Sequence, residues 1–133
     1  MNARVAYLDT SAFVKLVVVE PESGALQRFL ARWPERTSAT LLRTEAVRAL
    51  RKAGLDSQVG MARRLFNAMR LVRVDEPVLD RAAEVEPREL RSLDALHMAA
   101  AMALGADLGV VVTYDQRLAD AARQAGLVVQ SPG

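Results

Sequence analysis

Apolar residues along the chain fall into two alternating textures. Short unbroken strand-like runs occur at Val5 to Leu8, around Thr37 to Ala39, at Leu71 to Val74, at Val110 to Thr113 and at Leu127 to Val129. Helical patterns fill the intervals, punctuated by Pro21, Gly24, Pro34, Gly54, Gly60, Pro77, Pro87, Gly105 and Gly126. Alternating strands and helices predict an α/β fold built on a parallel sheet covered on both faces. Strands buried on both faces read as continuous apolar runs, as "VVV" at 110 to 112 does. No stretch is long or polar enough to be a linker and no internal repeat is visible, so residues 1–133 are read as one domain.

Two of these buried strands run into an acid, in "VAYLDTSA" at 5 to 12 and "VVVTYD" at 110 to 115. Ligands of parallel α/β sheets bind beyond the carboxyl ends of the strands, which puts Asp9 and Asp115 on the functional edge. Each is also a favoured helix N-cap. Asp115 precedes "QRLADAARQAG", and Asp9 or Ser11 can cap a helix beginning near Ala12.

The segment "SLDALHMAAAMAL" at 92 to 104 does not fit a capping explanation. After Ser92, read as the N-cap, its only polar residues are Asp94 and His97, so the helix should be apolar all round and buried. First-turn dipole relief for Asp94 is worth about 0.3–1 kcal/mol, against several kcal/mol for burying an unpaired carboxylate. An arginine, a proton or a metal ion must neutralise it. Glu45 in "TLLRTEAVRALRKAG" poses a milder version: it projects between Leu41 and Ala49 on the rim of an apolar stripe, where a plain surface pair with Arg48 is the alternative. If the first and fourth strands are neighbours, Asp9, Glu45, Asp94 and Asp115 converge. Carboxylates so gathered raise each other's pKa unless a divalent cation holds them. Oxygen ligands without cysteine, and with one histidine, select Mg²⁺ or Mn²⁺ over zinc.

Composition narrows the classes further. The absence of cysteine excludes disulfides and thiol nucleophiles and suits a reducing cytoplasm. "MNARVAYLD" has too few apolar residues before Asp9 for a secretory signal, and "ALHMAAAMALGADLGVVV" is broken by His97, Gly105 and Asp107, so no membrane span is expected. The net charge of +2 implies no partner, but residues 43 to 73 hold eight basic side chains against Glu45 and Asp56 alone. That arm suits a polyanion, or simply solvates helix faces.

"YLDTSA", "TEAVRAL", "LDALHMAAA" and "VVTYDQRLADAA" together closely resemble the PIN domain, in particular VapC-type toxins of bacterial toxin–antitoxin pairs. The likeness runs over nearly the whole chain. It implies a three-layer α/β/α fold, Mg²⁺- or Mn²⁺-dependent endoribonuclease activity, inhibition by a cognate VapB antitoxin, and a homodimer that forms a heterotetramer or larger with it. Carried over position by position, the acids are Asp9, Glu45, Asp94 and Asp115. Where many members place another acid after the last aspartate, this chain has Gln116 and Arg117.

Residue chemistry then assigns roles. With His97 as the only histidine, two-histidine cyclising cleavage is implausible, and a water nucleophile predicts 5′-phosphate and 3′-hydroxyl ends. Asp9 and Asp94 are expected metal ligands, Asp115 completes the shell, and Glu45 holds or deprotonates the water. Thr10, Ser11 and Thr113 hydrogen-bond to those carboxylates or to the scissile phosphate, unless they are turn and cap hydroxyls. His97, one turn after Asp94, is read as a hydrogen-bonded core residue, with support of the site acids as the alternative, and Arg91 as a counter-charge to the acids, a phosphate grip or a surface side chain. Arg43, Arg48, Arg51, Arg63 and Arg64 are candidates for the RNA backbone. An aspartyl-phosphate phosphatase would need an acid at position 11, which is Ser. A dinucleotide fold would need a glycine-rich turn after the first strand. The surviving rival is a catalytically silent PIN-like scaffold that binds RNA or protein. Finally, "FVKLVVVE" at 13 to 20 carries more apolar surface than one helix face needs, so either the sheet or a partner covers it.

Overall fold

The computed structural model describes residues 3–133. Among these residues five strands and seven α-helices follow in the order β1 Val5–Leu8, α1 Thr10–Val17, α2 Ser23–Leu30, β2 Glu35–Ala39, α3 Leu42–Lys52, α4 Val59–Asn67, β3 Arg70–Val72, α5 Glu76–Ala83, α6 Ser92–Met102, β4 Leu108–Val112, α7 Gln116–Gln124 and β5 Val129–Gln130. All strand pairs are parallel, in the order β3-β2-β1-β4-β5. The expected α/β/α sandwich is therefore present, with β1 beside β4.

Side chains alternate across β1, and both faces of it are covered. Ala6 and Leu8 pack with Val110, Val112 and Leu26 beneath α1 and α2. Val5 and Tyr7 pack with Val111, Ala99 and Ala122 beneath α5, α6 and α7. This explains the uninterrupted apolar run, since a strand with helices on both sides has no solvent face. A third cluster of Phe13, Val17, Leu42, Ala46, Leu50 and Phe66 welds α1 to α3 and α4. Helix α7 closes at Gly126, whose φ of +86° suits a residue without Cβ.

The chain leaves β1 toward β2 and β3 on one side and returns to β4 and β5 on the other. Beyond the carboxyl ends of β1 and β4, connections diverge to opposite faces. That divergence opens a crevice at the switch point, where α/β sheets bind ligands.

Two local expectations change. Arg91, not Ser92, occupies the N-cap position of α6, and no side chain caps it. The helix is also not buried all round: Leu93 is half exposed, and Asp94 and Met102 are partly so. Exposure is greatest in the first turn, at Ser92 and Leu93, whereas residues 97–101 are all buried, so Asp94 sits at the boundary between the exposed and the buried turns. In "FVKLVVVE", Phe13 and Val17 are buried in the third cluster, whereas Val19 is 93% exposed.

Candidate active site

Asp9 follows β1 directly and caps α1, as its sequence position allows. Its Oδ1 accepts from the Ala12 amide at 3.0 Å and from Ser11 Oγ at 2.7 Å, and its Oδ2 accepts from Thr113 Oγ1 at 2.6 Å. Both hydroxyls work twice, because Ser11 Oγ accepts from the Tyr114 amide and Thr113 Oγ1 from the Asp115 amide. Asp9 is thus the knot between the end of β1 and the end of β4. The tail tightens it further: Ser131 donates to the Thr113 carbonyl, and Tyr114 donates its hydroxyl to the Pro132 carbonyl at 2.6 Å. Burial pushes the Asp9 carboxyl above its usual range despite the bonds from Thr113 and Ser11.

This network predicts a pH-dependent cost for Thr113→Val. The swap leaves a buried carboxylate oxygen without a donor, a loss of about 1–3 kcal/mol. An acid whose folded pKa is raised binds more protons folded than unfolded, so its contribution to stability falls as pH rises between the two values. Urea titrations should therefore show the full penalty at pH 7 and a shrinking one as pH drops toward the ordinary aspartate range. A penalty of constant size would assign the loss to packing.

Asp115 caps α7 through the Leu118 amide at 3.1 Å. Asp94, in the first turn of α6, has no hydrogen-bond partner among the described residues. Burial raises its pKa, and the charges of Asp115, Asp9 and Glu45 raise it further. These four acids are therefore electrostatic neighbours. Glu45, in the first turn of α3, does not pair with Arg48; its Oε1 instead accepts from Thr10 Oγ1 at 2.7 Å and from His97 Nε2 at 2.8 Å. Burial would raise the Glu45 carboxyl, but the bonds from His97 and Thr10 outweigh it and hold the group below its usual range.

The other ion pairs of the described residues lie elsewhere, so none of their lysines or arginines forms an ion pair with Asp9, Asp94 or Asp115. Arg91 and Arg117 line a cavity of about 340 Å³ together with Asp94, Asp115 and Gln116 without pairing to either acid. A larger cavity, about 680 Å³ between α5 and the start of α6, contains none of the four acids. Unneutralised carboxylates with oxygen-only donors fit a hard divalent cation. Among the described residues no three acidic or histidine side chains are already gathered tightly enough to cage one.

Thr10, Ser11 and Thr113 all reach the acids, so their hydroxyls do more than shape turns. Arg43, Arg48, Arg51, Arg63 and Arg64 are all exposed on α3 and α4. Arg43 lies over the Phe66 ring and Arg51 is 3.8 Å from Asp56, which leaves Arg48, Arg63 and Arg64 without a carboxylate partner among the described residues. Tyr7 belongs to the buried apolar run of β1, yet its hydroxyl lies 2.7 Å from His97 Nδ1. The available signal was generic: a buried tyrosine hydroxyl and a buried imidazole both need partners. No helix among the described residues is long and apolar enough to cross a membrane.

A family model described as the PIN domain matches residues 6–124. Ribonuclease VapC46 of Mycobacterium tuberculosis is 49% identical over 126 residues, covering 95% of this chain and 96% of that protein. Ribonuclease VapC47 of the same species is 38% identical over 131 residues, covering 96% of each. Among solved structures, M. tuberculosis VapC20, described as a sarcin–ricin loop cleaving toxin, superposes with a TM-score of 0.76 at 21% identity over 96% of this chain and 99% of that one. VapBC2 from Rickettsia felis, bound to a DNA fragment from its promoter, gives 0.71 at 14% identity over 97% and 99%. With its strand order, its acids at the switch point and a likeness to relatives that spans nearly their whole length, the chain belongs to the PIN-domain family, among the VapC-type proteins.

Proposed function

We propose that this chain is an endoribonuclease toxin that hydrolyses RNA phosphodiester bonds with Mg²⁺ or Mn²⁺ held by Asp9, Asp94 and Asp115, and that a VapB-type antitoxin keeps it inactive. The carrying observation is the set of four electrostatically coupled carboxylates at the sheet's switch point, of which Asp9, Asp94 and Asp115 have no ion-pair partner among the described residues. The ribonuclease names of the relatives and the antitoxin-bound neighbour support the same reading. When bound, such a cation supplies neutralising charge and Lewis acidity toward water and phosphate.

The chain's own residues divide the remaining work. Asp9 is immobilised by three donors, two of them hydroxyls, which fixes one ligand without reorganisation. Glu45, held below the ordinary carboxylate range, stays ionised and is too weak a base to match neutral pH well. Its role is to orient the attacking water by accepting a hydrogen bond. In the net hydrolysis the bond from phosphorus to the 3′ oxygen breaks, the hydroxyl of water stays on phosphorus, its proton is released to solvent and the 3′ oxygen takes one up from solvent, giving 5′-phosphate and 3′-hydroxyl ends. The exposed apolar side chains Val19, Leu79 and Leu93 offer surface for a second copy and for the antitoxin.

Cleavage of total bacterial RNA by antitoxin-free protein tests this, with Mn²⁺, Mg²⁺ or EDTA and with Asp94→Asn purified alongside. Discrete fragments are expected only with metal and only from the unmutated chain. Primary products bearing 2′,3′-cyclic phosphate would overturn the water mechanism.

Substrate grip predicts a separate result. Each phosphate neutralised on a single strand contributes a slope of about −0.7 to log K against log salt. Arg48→Ala should make that slope shallower by about this unit, and an unchanged slope removes Arg48 from the RNA surface.

A further inference from the structure

His97 is the chain's only histidine, is 3% exposed, and uses both ring nitrogens. Nε2 lies 2.8 Å from Glu45 Oε1 and 3.3 Å from Thr10 Oγ1, and Nδ1 lies 2.7 Å from the hydroxyl of fully buried Tyr7. The Tyr7 and His97 rings meet edge to face at 5.8 Å and 73°. An ionised carboxylate only accepts hydrogen bonds, so the contact with Glu45 requires a proton on Nε2. In the neutral ring Nδ1 is then bare, and the Tyr7 hydroxyl is the donor that satisfies it. Reversing the tautomer would set two acceptors against each other at 2.8 Å. Tyr7 thereby fixes which nitrogen faces the site.

Placement gives the arrangement its consequence. His97 stands one turn after Asp94 on α6, so both side chains leave the same helix face. Glu45 comes from α3 and Thr10 from α1, and the two donors both land on Oε1. One helix therefore carries one acid of the site directly and grips another through an imidazole.

We propose that Tyr7 and His97 act as positioning residues, a tautomer-fixed pair that holds Glu45 at a set distance from Asp94 and leaves Oε2 free for the attacking water. This rests on the nuclease reading above. Groups that orient the working residues of a metal site are worth about 10- to 100-fold in activity, and that is the expected loss of kcat in His97→Leu, with KM within about twofold because the loss is confined to the transition state. His97→Gln, whose amide N–H can still reach Glu45, should recover most of it. In a Glu45→Ala background His97→Leu should add nothing further.

One set of proteins separates the possibilities: unmutated, Asp94→Asn, His97→Leu, His97→Gln, Glu45→Ala, the double variant and Tyr7→Phe, each with a thermal melt. Histidine-selective ¹⁵N labelling gives a single ring, expected to be protonated on Nε2 and bare on Nδ1, with that preference weakened in Tyr7→Phe. If the unmutated chain does not cut, or cuts as Asp94→Asn does, the nuclease reading falls and takes this inference with it. If the unmutated chain cuts and folded His97→Leu matches its kcat, only the positioning role falls. A proton on Nδ1, or His97→Gln no better than His97→Leu with both folded, overturns it as well. Should His97→Leu fail to fold, near-isosteric Tyr7→Phe decides, with a loss of a few-fold in kcat supporting the role and full activity refuting it.

Discussion

Asp94→Asn is expected to lose RNA cleavage by about three orders of magnitude, roughly 4 kcal/mol of barrier at 1.36 kcal/mol per decade, while folding more stably than the unmutated chain. Asp94 is crowded by burial and by the charges of Asp115, Asp9 and Glu45, with no hydrogen-bond partner among the described residues to offset them. Asparagine keeps the shape and removes the charge. Relief of a strained functional site commonly yields about 0.5–2 kcal/mol, which moves Tm by a few degrees at this chain length. The sign follows from linkage: a raised carboxyl pKa destabilises the fold above that pKa, so the gain is full at neutral pH and disappears as pH falls toward the ordinary aspartate value. Calorimetry in EDTA should show the gain. Added Mg²⁺ or Mn²⁺ should then raise Tm of the unmutated chain and leave the variant unmoved. A variant that is both inactive and less stable would mean that Asp94 is a structural residue.

Phe13→Ala is expected to produce the largest loss of stability, about 3–5 kcal/mol as for other buried aromatic truncations. Its ring is fully buried and stacks on Phe66 at 5.2 Å and 22°. The cluster around it joins α1, which presents Thr10 and Ser11, to α3, which presents Glu45. A cavity there should loosen the 2.7 Å bond from Thr10 to Glu45, so cleavage per folded molecule should fall along with the urea midpoint. Domains of this size hold about 5–15 kcal/mol in total, so the variant should still fold at low temperature. If kcat of the folded fraction is unchanged, the α1–α3 packing supports the fold but does not set the site.

The strands were legible because β1 and β4 are covered on both faces, and that burial forces the apolar runs "VAYL" and "VVV". Asp9 and Asp115 could be read either as caps or as site acids, and the structure makes them caps whose carboxylates also stand at the switch point. Boundaries were less legible. Arg91 takes the cap position that Ser92 was expected to hold, because Ser92 already has its backbone in the first turn. Partial exposure of α6 was not visible in its composition either: alanines and leucines look alike on a helical wheel whether a neighbour covers them or not.

By itself, the sequence determined the α/β alternation and the parallel sheet, because both are written in the periodicity of apolar residues; it singled out the four acids only as candidates, with Asp94 the one that burial makes costly. Only the tertiary structure decided who meets whom across the chain. Tyr7 and His97 are 90 positions apart, Glu45 and His97 52, and Asp9 and Thr113 104. Hydrogen bonds of 2.6–2.8 Å leave no periodic trace in a sequence. They exist because the sheet order sets β1 between β2 and β4, and because α6 packs across that sheet with its His97 face inward.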